Sequence, residues 1–348
     1  MKIAVNKDIN IEDWYRLVQI SATGTWFQTP EAYDFFASQQ ELFAPFVVAV
    51  SDERLGIRGI CVGYVTKEKS AIRQYFTRRA IIIGGPCLAD DATNEEVQFL
   101  MDEVRQQLQN LDLRFKILNS PIYIETRNFN DYSKWKGAFE KAGFSYQPHL
   151  NFHVDTSSIE IVEENIHKSR KRDIRTSLRD GAFIIESPTL EQVHAMYDIL
   201  LHLYKTRVKT PLFPFSFFEA LWKQSYAHFL LIGRINEQNE TEVIGGTVNV
   251  EMQGKGVYEW FACGRDGEWK SIFPSSLATY AGIRYAAEHG FPRFDMMGAG
   301  TPNEAYGVRD FKAKFGGQLV EHGRYMSITK PLLYKIGVLG VRILKKIK

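Results

Sequence analysis

The chain has 348 residues, of which 45% are hydrophobic and 24% are charged. This length exceeds what one hydrophobic core usually supports, so two domains are expected, and the composition excludes an intrinsically disordered chain. The net charge of +2 excludes a global basic field, so a site for a polyanion must come from local clustering of cations.

Strand and helix patterns alternate through the first half of the chain. Apolar runs predict strands, at 46–50, 58–65, 80–83, 122–126 and 144–154. Apolar residues at i, i+3 and i+4 spacing predict a helix from Asn94 to Leu111. A second helix is expected between Asp131, a residue type that caps helices, and Gly143, which stops it.

The second half repeats this order after two extra helices. The extra segments are a basic helix at 160–180 and a helix at 190–207. The repeated elements then follow as a strand at 257–262, a helix at 274–289, a strand at 293–297, a helix at 308–315 and a strand at 319–326.

A β-α-β-α-β unit used twice predicts an α/β fold with mixed sheets in two like domains. The helix end at 139–144 resembles the one at 311–316, which supports a duplication. The expected domains are 1–152 and 153–326, with a basic apolar tail at 327–348.

The basic helix places five cations on one face, because they follow helical spacing. These residues are Lys168, Lys171, Arg172, Arg175 and Arg179. Such a stripe suits phosphates, either of an RNA backbone or of a diphosphate. The alternative is a solvated charged face. No base-reading motif is present, so sequence-specific recognition of nucleic acid is not expected.

The pair Phe311 and Lys312 is the candidate for chemistry. A lysine near a reacting carbonyl stabilises the oxyanion of a tetrahedral intermediate, and a phenylalanine beside it keeps water away. The alternative is a surface lysine next to a core phenylalanine. Asp295 ends a strand near this segment and either orients a substrate amine or makes a strand-end hydrogen bond.

Metal and redox chemistry are not expected. The three cysteines, Cys61, Cys87 and Cys263, are scattered, and the eight histidines show no ligand spacing. The sequence has no recognisable signal peptide and no apolar run of about 18 residues, so a cytoplasmic protein is expected. The apolar and basic tail either lies on an anionic membrane surface or packs on the first domain.

Several short motifs, in their order and spacing, resemble the Fem family of peptidoglycan bridge-forming aminoacyltransferases, within the wider group of tandem GNAT-like acyltransferases. The motifs are Trp26-Phe27-Gln28-Thr29-Pro30, Gly85-Pro86, Lys205-Thr206-Arg207, Tyr258 with Ala262-Cys263-Gly264, Phe294-Asp295-Met296-Met297-Gly298, and Phe311-Lys312-Ala313-Lys314-Phe315-Gly316. The resemblance covers nearly the whole chain and is strongest from about 245 to 325.

The resemblance implies two tandem GNAT-like domains and transfer of an aminoacyl group from aminoacyl-tRNA to an amine of a peptidoglycan precursor. By motif position, Phe311 and Lys312 would form the catalytic pair. Arg207 and Tyr258 would lie in the precursor-binding region. No obvious enzymic base is implied, so deprotonation would be substrate-assisted. No cofactor is implied beyond aminoacyl-tRNA as co-substrate, and the precursor is nucleotide- or lipid-linked.

The chain departs from the family pattern in three places. It lacks a coiled-coil arm, so contact with RNA would need the basic helix, through residues such as Lys168, Arg172 and Arg175. Phe35 and Phe36 stand where a phosphate-binding lysine can occur. No pyrophosphate loop follows Cys263, which argues against acyl-CoA. The alternative function is an acyl-CoA-dependent N-acyltransferase acting on an amino-sugar or surface polysaccharide precursor.

Overall fold

The computed structural model describes residues 1–5, 8–109 and 120–347. The chain forms two compact units: unit 1 contains residues 1–149 and 322–348, and unit 2 contains residues 150–321. The domain limits expected from the sequence stay a prediction. Leu111, the expected last residue of the first long helix, lies outside the described residues.

Unit 1 is built on one mixed sheet. Its strands are β1 (Lys2–Val5), β2 (Phe43–Asp52), β3 (Gly56–Thr66), β4 (Ala80–Gly84), β5 (Cys87–Leu88), β6 (Tyr123–Asn128), β7 (Ser145–Gln147) and β15 (Arg324–Ile328). The order across the sheet is β1-β2-β3-β4-β6-β15-β7, and β5 pairs with β3. Within the described residues, β4 and β6 are the parallel neighbours of this sheet, because the helix that joins them carries the chain back across the sheet.

The helices of unit 1 flank this sheet. They are α1 (Ile11–Ile20), α2 (Pro30–Ser38), α3 (Ala71–Thr77), α4 (Asn94–Gln109), α5 (Lys136–Lys141) and α12 (Pro331–Ile347). The apolar stripe predicted for α4 is buried, with Val97, Leu100 and Val104 in the core. Short 3-10 turns precede α2 and α5.

Unit 2 contains the second mixed sheet. Its strands are β8 (Leu150–Asp155), β9 (Phe183–Ile185), β10 (Ala227–Ile235), β11 (Thr241–Met252), β12 (Gly256–Gly264), β13 (Arg293–Gly298) and β14 (Gln318–Glu321). The order is β14-β8-β13-β12-β11-β10-β9. Here β12 and β13 are the parallel neighbours that a crossover helix connects.

The helices of unit 2 include that crossover and the candidate catalytic segment. They are α6 (Ile159–Asn165), α7 (Lys168–Arg179), α8 (Leu190–Leu203), α9 (Phe215–Trp222), α10 (Pro274–Glu288) and α11 (Gly307–Ala313). A π-helical turn at Tyr204–Val208 continues α8. The two sheets are built alike: in each, a parallel strand pair joined by a crossover helix is followed across the sheet by two antiparallel strands. A short helix follows the second parallel strand along the chain. The predicted α/β fold with mixed sheets is confirmed.

Two strand predictions were wrong in the same way. The segments 144–154 and 319–326 were each expected to be one extended strand, and each is two. β7 belongs to the first sheet and β8 to the second, whereas β14 belongs to the second and β15 to the first. The break before β15 falls at Gly323, whose φ of +64° suits glycine.

Two helix predictions also need correction. The basic segment 160–180 is two helices, because Ile166 is extended and the His167 side chain caps the second helix by accepting a hydrogen bond from the Ser169 amide. The helix expected at 190–207 ends as an α-helix at Leu203 and passes into the π-helical turn. The helix expected at 308–315 spans Gly307–Ala313.

Candidate active site

The carboxyl end of β13 carries a bulge. Pairing with β8 shifts register between Asp295 and Gly298. Met297 has a φ of +57°, which a non-glycine residue rarely adopts. The Asp295 carboxylate holds this turn, since its Oδ1 accepts a hydrogen bond of 2.7 Å from the Met297 amide. The bulge turns two backbone carbonyls toward one point.

Lys312 of α11 occupies that point. Its Nζ donates hydrogen bonds to the carbonyl oxygens of Met296 and Gly298, the second at 2.9 Å. Only 9% of the side chain is exposed, so Lys312 is not a surface lysine. An ammonium has three N–H donors, and these carbonyls account for two of them.

Burial lowers the pKa of Lys312 below its ordinary value, although the negative charges of Glu259 and Asp295 act in the opposite direction. A cation held in a low-dielectric setting acts strongly on any charge that develops beside it. The arrangement is therefore suited to stabilising an oxyanion.

Asp295 is fully buried, and its carboxylate is compensated locally. Its Oδ2 lies 3.1 Å from His153 Nε2 on the neighbouring strand β8. Burial favours protonation, but His153 and Arg293 outweigh it and hold the pKa of Asp295 below its ordinary range. Asp295 makes the strand-end hydrogen bond expected in one of its two readings, while orientation of a substrate amine stays a prediction.

Glu259 belongs to the same polar cluster, although no sequence motif pointed to it. Its side chain is 7% exposed. Burial raises the pKa of Glu259, and the charge of Lys312 together with hydrogen bonds from Thr279 and Thr247 opposes this rise. Thr247 Oγ1 lies 3.4 Å from Glu259 Oε1. The buried carboxyl of Glu259 and the buried amine of Lys312 therefore act on each other's charge.

The two parallel strands separate where this cluster begins. Val257 pairs with Phe294, and Tyr258 pairs with Asp295. Glu259 is the next residue along β12, beyond the last pair. On β13 the next residue after the last pair is Met296, whose carbonyl accepts a hydrogen bond from Lys312, so the parallel pairing ends beside the polar cluster.

The helix that carries Lys312 is fixed by a buried arginine. Arg170 of α7 stacks its guanidinium over the rings of Phe311 and Phe315, at 4.4 and 4.7 Å. Its Nη2 donates to the Phe311 carbonyl at 3.2 Å, and its Nη1 donates to the Ser276 hydroxyl on α10. The charge pattern did not predict this role for Arg170, because Arg170 lies on the opposite side of α7 from the cationic stripe.

Backbone contacts also hold α11 against the segment that joins α6 to α7. The His167 amide donates to the Lys314 carbonyl at 3.0 Å, just beyond the end of α11. Gly316 has a φ of +78°, and a Cβ there would lie 2.3 Å from the Asn165 carbonyl oxygen. A side chain at this position would therefore push the candidate catalytic helix away from the start of the basic helix.

The predicted cationic stripe is assembled on α7. One groove of about 300 Å³ is lined by Lys168, Lys171, Arg172, Arg175, Thr176 and Arg179. Arg172 lies 3.7 Å from Asp173 and Arg179 lies 2.7 Å from Asp180, so part of this charge is compensated. Among the described residues, no carboxylate pairs with Lys168, Lys171 or Arg175 within 4.0 Å. The remaining charge favours an anionic ligand.

The two residues assigned to precursor binding differ in their surroundings. Arg207 is exposed and lies in the π-helical turn, a rare element that often marks functional sites. Tyr258 is fully buried, and burial raises its pKa to about 12. Contact between Tyr258 and a substrate stays a prediction, and the structure gives this side chain a core position.

In residues 1–5, 8–109 and 120–347, no group of three or more His, Cys, Asp or Glu side chains has metal-binding geometry. None of the helices that the structure describes is both long and apolar enough to cross a bilayer.

The carboxyl-terminal third of the chain matches a known family. Residues 231–339 match the model of the FemAB family. This part of the chain is FemAB-like. The FemAB-like region includes Glu259, Asp295 and Lys312, and the predicted resemblance to the Fem family is confirmed. No curated protein matches the chain in sequence.

Solved structures extend the likeness to both units. A crystal structure of FemX is 14% identical with a TM-score of 0.72, and the match covers 97% of this chain and 99% of FemX. A tandem GNAT protein from the clavulanic acid biosynthesis pathway is 9% identical with a TM-score of 0.56, covering 94% and 98%. L-PGS from Bacillus licheniformis is 12% identical with a TM-score of 0.55, covering 97% of each chain.

At these identities the structural likeness concerns the fold. The tandem GNAT-like fold predicted from the sequence is confirmed. Together with the FemAB match, the fold supports an acyltransferase.

Proposed function

We propose that the protein is an aminoacyltransferase of cell-wall assembly, which moves an aminoacyl group from aminoacyl-tRNA to an amine of a peptidoglycan precursor. The observation that carries this proposal is Lys312, buried in the FemAB-like region and fixed against the bulged end of β13. A buried, oriented cation is the type of group that acyl transfer requires.

In the proposed reaction the acceptor amine attacks the ester carbonyl of the aminoacyl-tRNA. A carbon–nitrogen bond forms, and the carbonyl oxygen becomes an oxyanion that an N–H of Lys312 stabilises. The carbon–oxygen bond to the tRNA then breaks. The amine loses a proton and the leaving tRNA hydroxyl gains one, which is in keeping with substrate-assisted transfer. No cofactor takes part in this scheme.

The choice of donor rests on two features of unit 2. The stripe on α7 offers cations for an RNA backbone without base recognition. In addition, the first turn of α10, which follows β12, is occupied by an acid: the Ser275 amide donates to Asp266 Oδ1 at 3.1 Å. A carboxylate at a helix N-terminus takes the place that a pyrophosphate would need, which disfavours acyl-CoA.

The acceptor is proposed to be nucleotide- or lipid-linked, with exposed Arg207 in contact with its phosphates. Use of aminoacyl-tRNA places the reaction in the cytoplasm, and a lipid-linked acceptor would place it at the inner surface of the membrane.

The donor can be tested directly. The full-length protein is incubated with a peptidoglycan precursor peptide and either a mixture of radiolabelled aminoacyl-tRNAs or radiolabelled acetyl-CoA, and label in the peptide is counted. Transfer from aminoacyl-tRNA alone is expected. Transfer from acetyl-CoA alone would support the alternative acyltransferase, and transfer from neither donor would sink both.

A further inference from the structure

Two helices of unit 1 form an apolar surface that the acyl-transfer proposal does not use. The helices are α3 and α12, which pack on each other near Phe76 and Gly337; a Cβ on Gly337 would lie 3.8 Å from the Phe76 carbonyl oxygen. We call the exposed apolar residues of these two helices the α3–α12 patch. They are Ile72, Tyr75, Phe76, Leu332, Ile336 and Leu339.

The α12 helix has two apolar faces. One face packs against unit 1, where the Tyr334 ring makes an edge-on contact of 5.6 Å with the ring of Tyr123. The other face contains Leu332, Ile336 and Leu339, which are 77%, 54% and 59% exposed. Their spacing of four and three residues aligns them along one side of the helix. The second face is therefore a continuous apolar stripe in contact with solvent.

The α3 helix extends this stripe. Ile72 is 73% exposed, and the rings of Tyr75 and Phe76 are each 39% exposed. Isolated exposed apolar residues are ordinary, but six on two packed helices form a patch of the kind that marks an interaction site. Aromatic rings with this partial exposure are also typical of the boundary between water and lipid.

The charge around the patch identifies its partner. In the sequence, the segment 330–348 contains six basic residues and no aspartate or glutamate. The basic residues are Lys330, Lys335, Arg342, Lys345, Lys346 and Lys348. Lys67, Lys69 and Arg73 add cations beside and within α3. A second copy of this chain would bring like charges together, whereas an anionic lipid surface would neutralise them.

We propose that unit 1 binds the surface of an anionic phospholipid bilayer through the α3–α12 patch. The apolar stripe enters the headgroup boundary while the flanking cations contact lipid phosphates, with α12 lying in the plane of the membrane. This binding does not depend on the acyl-transfer reaction. Taken together with the proposed function, it favours a lipid-linked acceptor over a nucleotide-linked one.

Flotation of the full-length protein with vesicles tests this proposal. Vesicles of phosphatidylcholine with phosphatidylglycerol are expected to carry the protein, and vesicles of phosphatidylcholine alone are expected to carry little. Salt near 1 M, where the screening length falls to about 3 Å, should weaken the binding. Equal binding to both kinds of vesicle would contradict the electrostatic part of the proposal.

Variants of the patch separate lipid binding from folding. Leu332→Glu with Ile336→Glu should weaken binding to anionic vesicles by at least about tenfold, since it removes two apolar anchors and adds two negative charges. The matched control is Ile20→Glu with Leu55→Glu, which are 70% and 63% exposed elsewhere on unit 1. The control should keep the affinity of the wild type.

Two outcomes would overturn the proposal. One is unchanged vesicle binding by the Leu332/Ile336 variant with its circular dichroism intact. The other is a wild-type dimer in sedimentation velocity that becomes a monomer in this variant, which would assign the patch to a second copy of the chain. Because neither measurement involves transfer, failure here leaves the proposed function to its own test.

Discussion

The two units share one strand order but differ at the centre of the sheet. In unit 1 the parallel strands β4 and β6 pair over five positions, up to Gly84 and Asn128. In unit 2 the pairing between β12 and β13 covers two positions and ends at Tyr258 and Asp295. The parallel pairing at the centre of the sheet is thus longer in unit 1 than in unit 2.

The side chains at this centre also differ. The third residue of β6 is Glu125, which forms a structural ion cluster with Arg324 and with Arg127, the latter at 3.4 Å. Although burial acts against it, these arginines hold the pKa of Glu125 below its ordinary range. The equivalent acid in unit 2, Asp295, braces a bulge whose carbonyls bind a lysine. The same strand order therefore carries two arrangements of buried charge, an ion cluster in unit 1 and the candidate site in unit 2.

The largest expected effect separates Lys312 from its counterpart in unit 1, Glu140. Lys312→Met should lower the rate of transfer by about 10²–10³, the usual cost of losing one oxyanion donor. Glu140→Met should leave transfer unchanged, because Glu140 is exposed and lies 3.9 Å from Lys136 in a surface pair. Rates are measured with saturating substrates, and equal rates for the wild type and Lys312→Met would remove Lys312 from the mechanism.

The cationic groove should give the next largest effect. Replacing Lys168, Lys171 and Arg175 with glutamate should weaken tRNA binding by about 10²-fold. The slope of the logarithm of the binding constant against the logarithm of the salt concentration should fall by the equivalent of about two to three phosphate contacts. Reversal of Lys2, Lys136 and Lys141, which are exposed lysines of unit 1, is the control. Filter binding over a salt series measures both quantities, and matching slopes for the two triple variants would argue against RNA on α7.

Arg170 offers a smaller test of position. Arg170→Met keeps much of the side-chain volume but removes the hydrogen bonds that hold α11, so kcat should fall about tenfold with less change in KM. The control is Arg105→Met in unit 1, where Arg105 Nη1 donates to the Ala142 carbonyl at 2.7 Å. Both variants should lose stability. If both also lost the same share of kcat, Arg170 would have only a structural role.

Glu259 provides the smallest effect, through pH. The pKa of Glu259 is higher in the folded protein than in the unfolded chain. Its contribution to the free energy of unfolding is therefore complete at pH values below the pKa of the unfolded chain. That contribution is lost as the pH rises through the pKa of the folded protein. Glutamine does not ionise, so Glu259→Gln avoids that loss. The melting temperature of the variant minus that of the wild type should therefore rise by on the order of 2–4 °C between pH 5 and pH 8.5.

Thermal melts at both pH values measure this difference. A variant that instead loses stability as the pH rises would show that charged Glu259 is stabilised by its pairing with Lys312. Glu125→Gln in unit 1 is the contrasting control, since the pKa of Glu125 is lowered and its charge should stabilise the fold at high pH.

Much of the fold followed from local sequence. The strands at 80–83 and 293–297 and the helix at 274–289 were predicted to within a residue or so, because continuous apolar runs and helical spacing are local signals. The strands β10 and β11 were not predicted, although their apolar runs are a signal that could have found them.

The cations of α7 were also readable from sequence, because residues on one helix share a face whatever the tertiary structure does. The same holds for the apolar and basic character of the tail. By contrast, the break of the basic segment at His167 depended on a single cap, which the charge pattern concealed.

Local residue patterns were enough to identify the alternation of elements, the cationic face and the Phe311-Lys312 pair. Tertiary packing sets the burial of Lys312, the position of Glu259 near it and the contacts of Arg170 with its helix. Arg170 and the Phe311 carbonyl that it binds are 141 residues apart. Such contacts form when distant segments pack together, so no local pattern of residues encodes them. Burial arises in the same way, and burial shifts the pKa of each charged group.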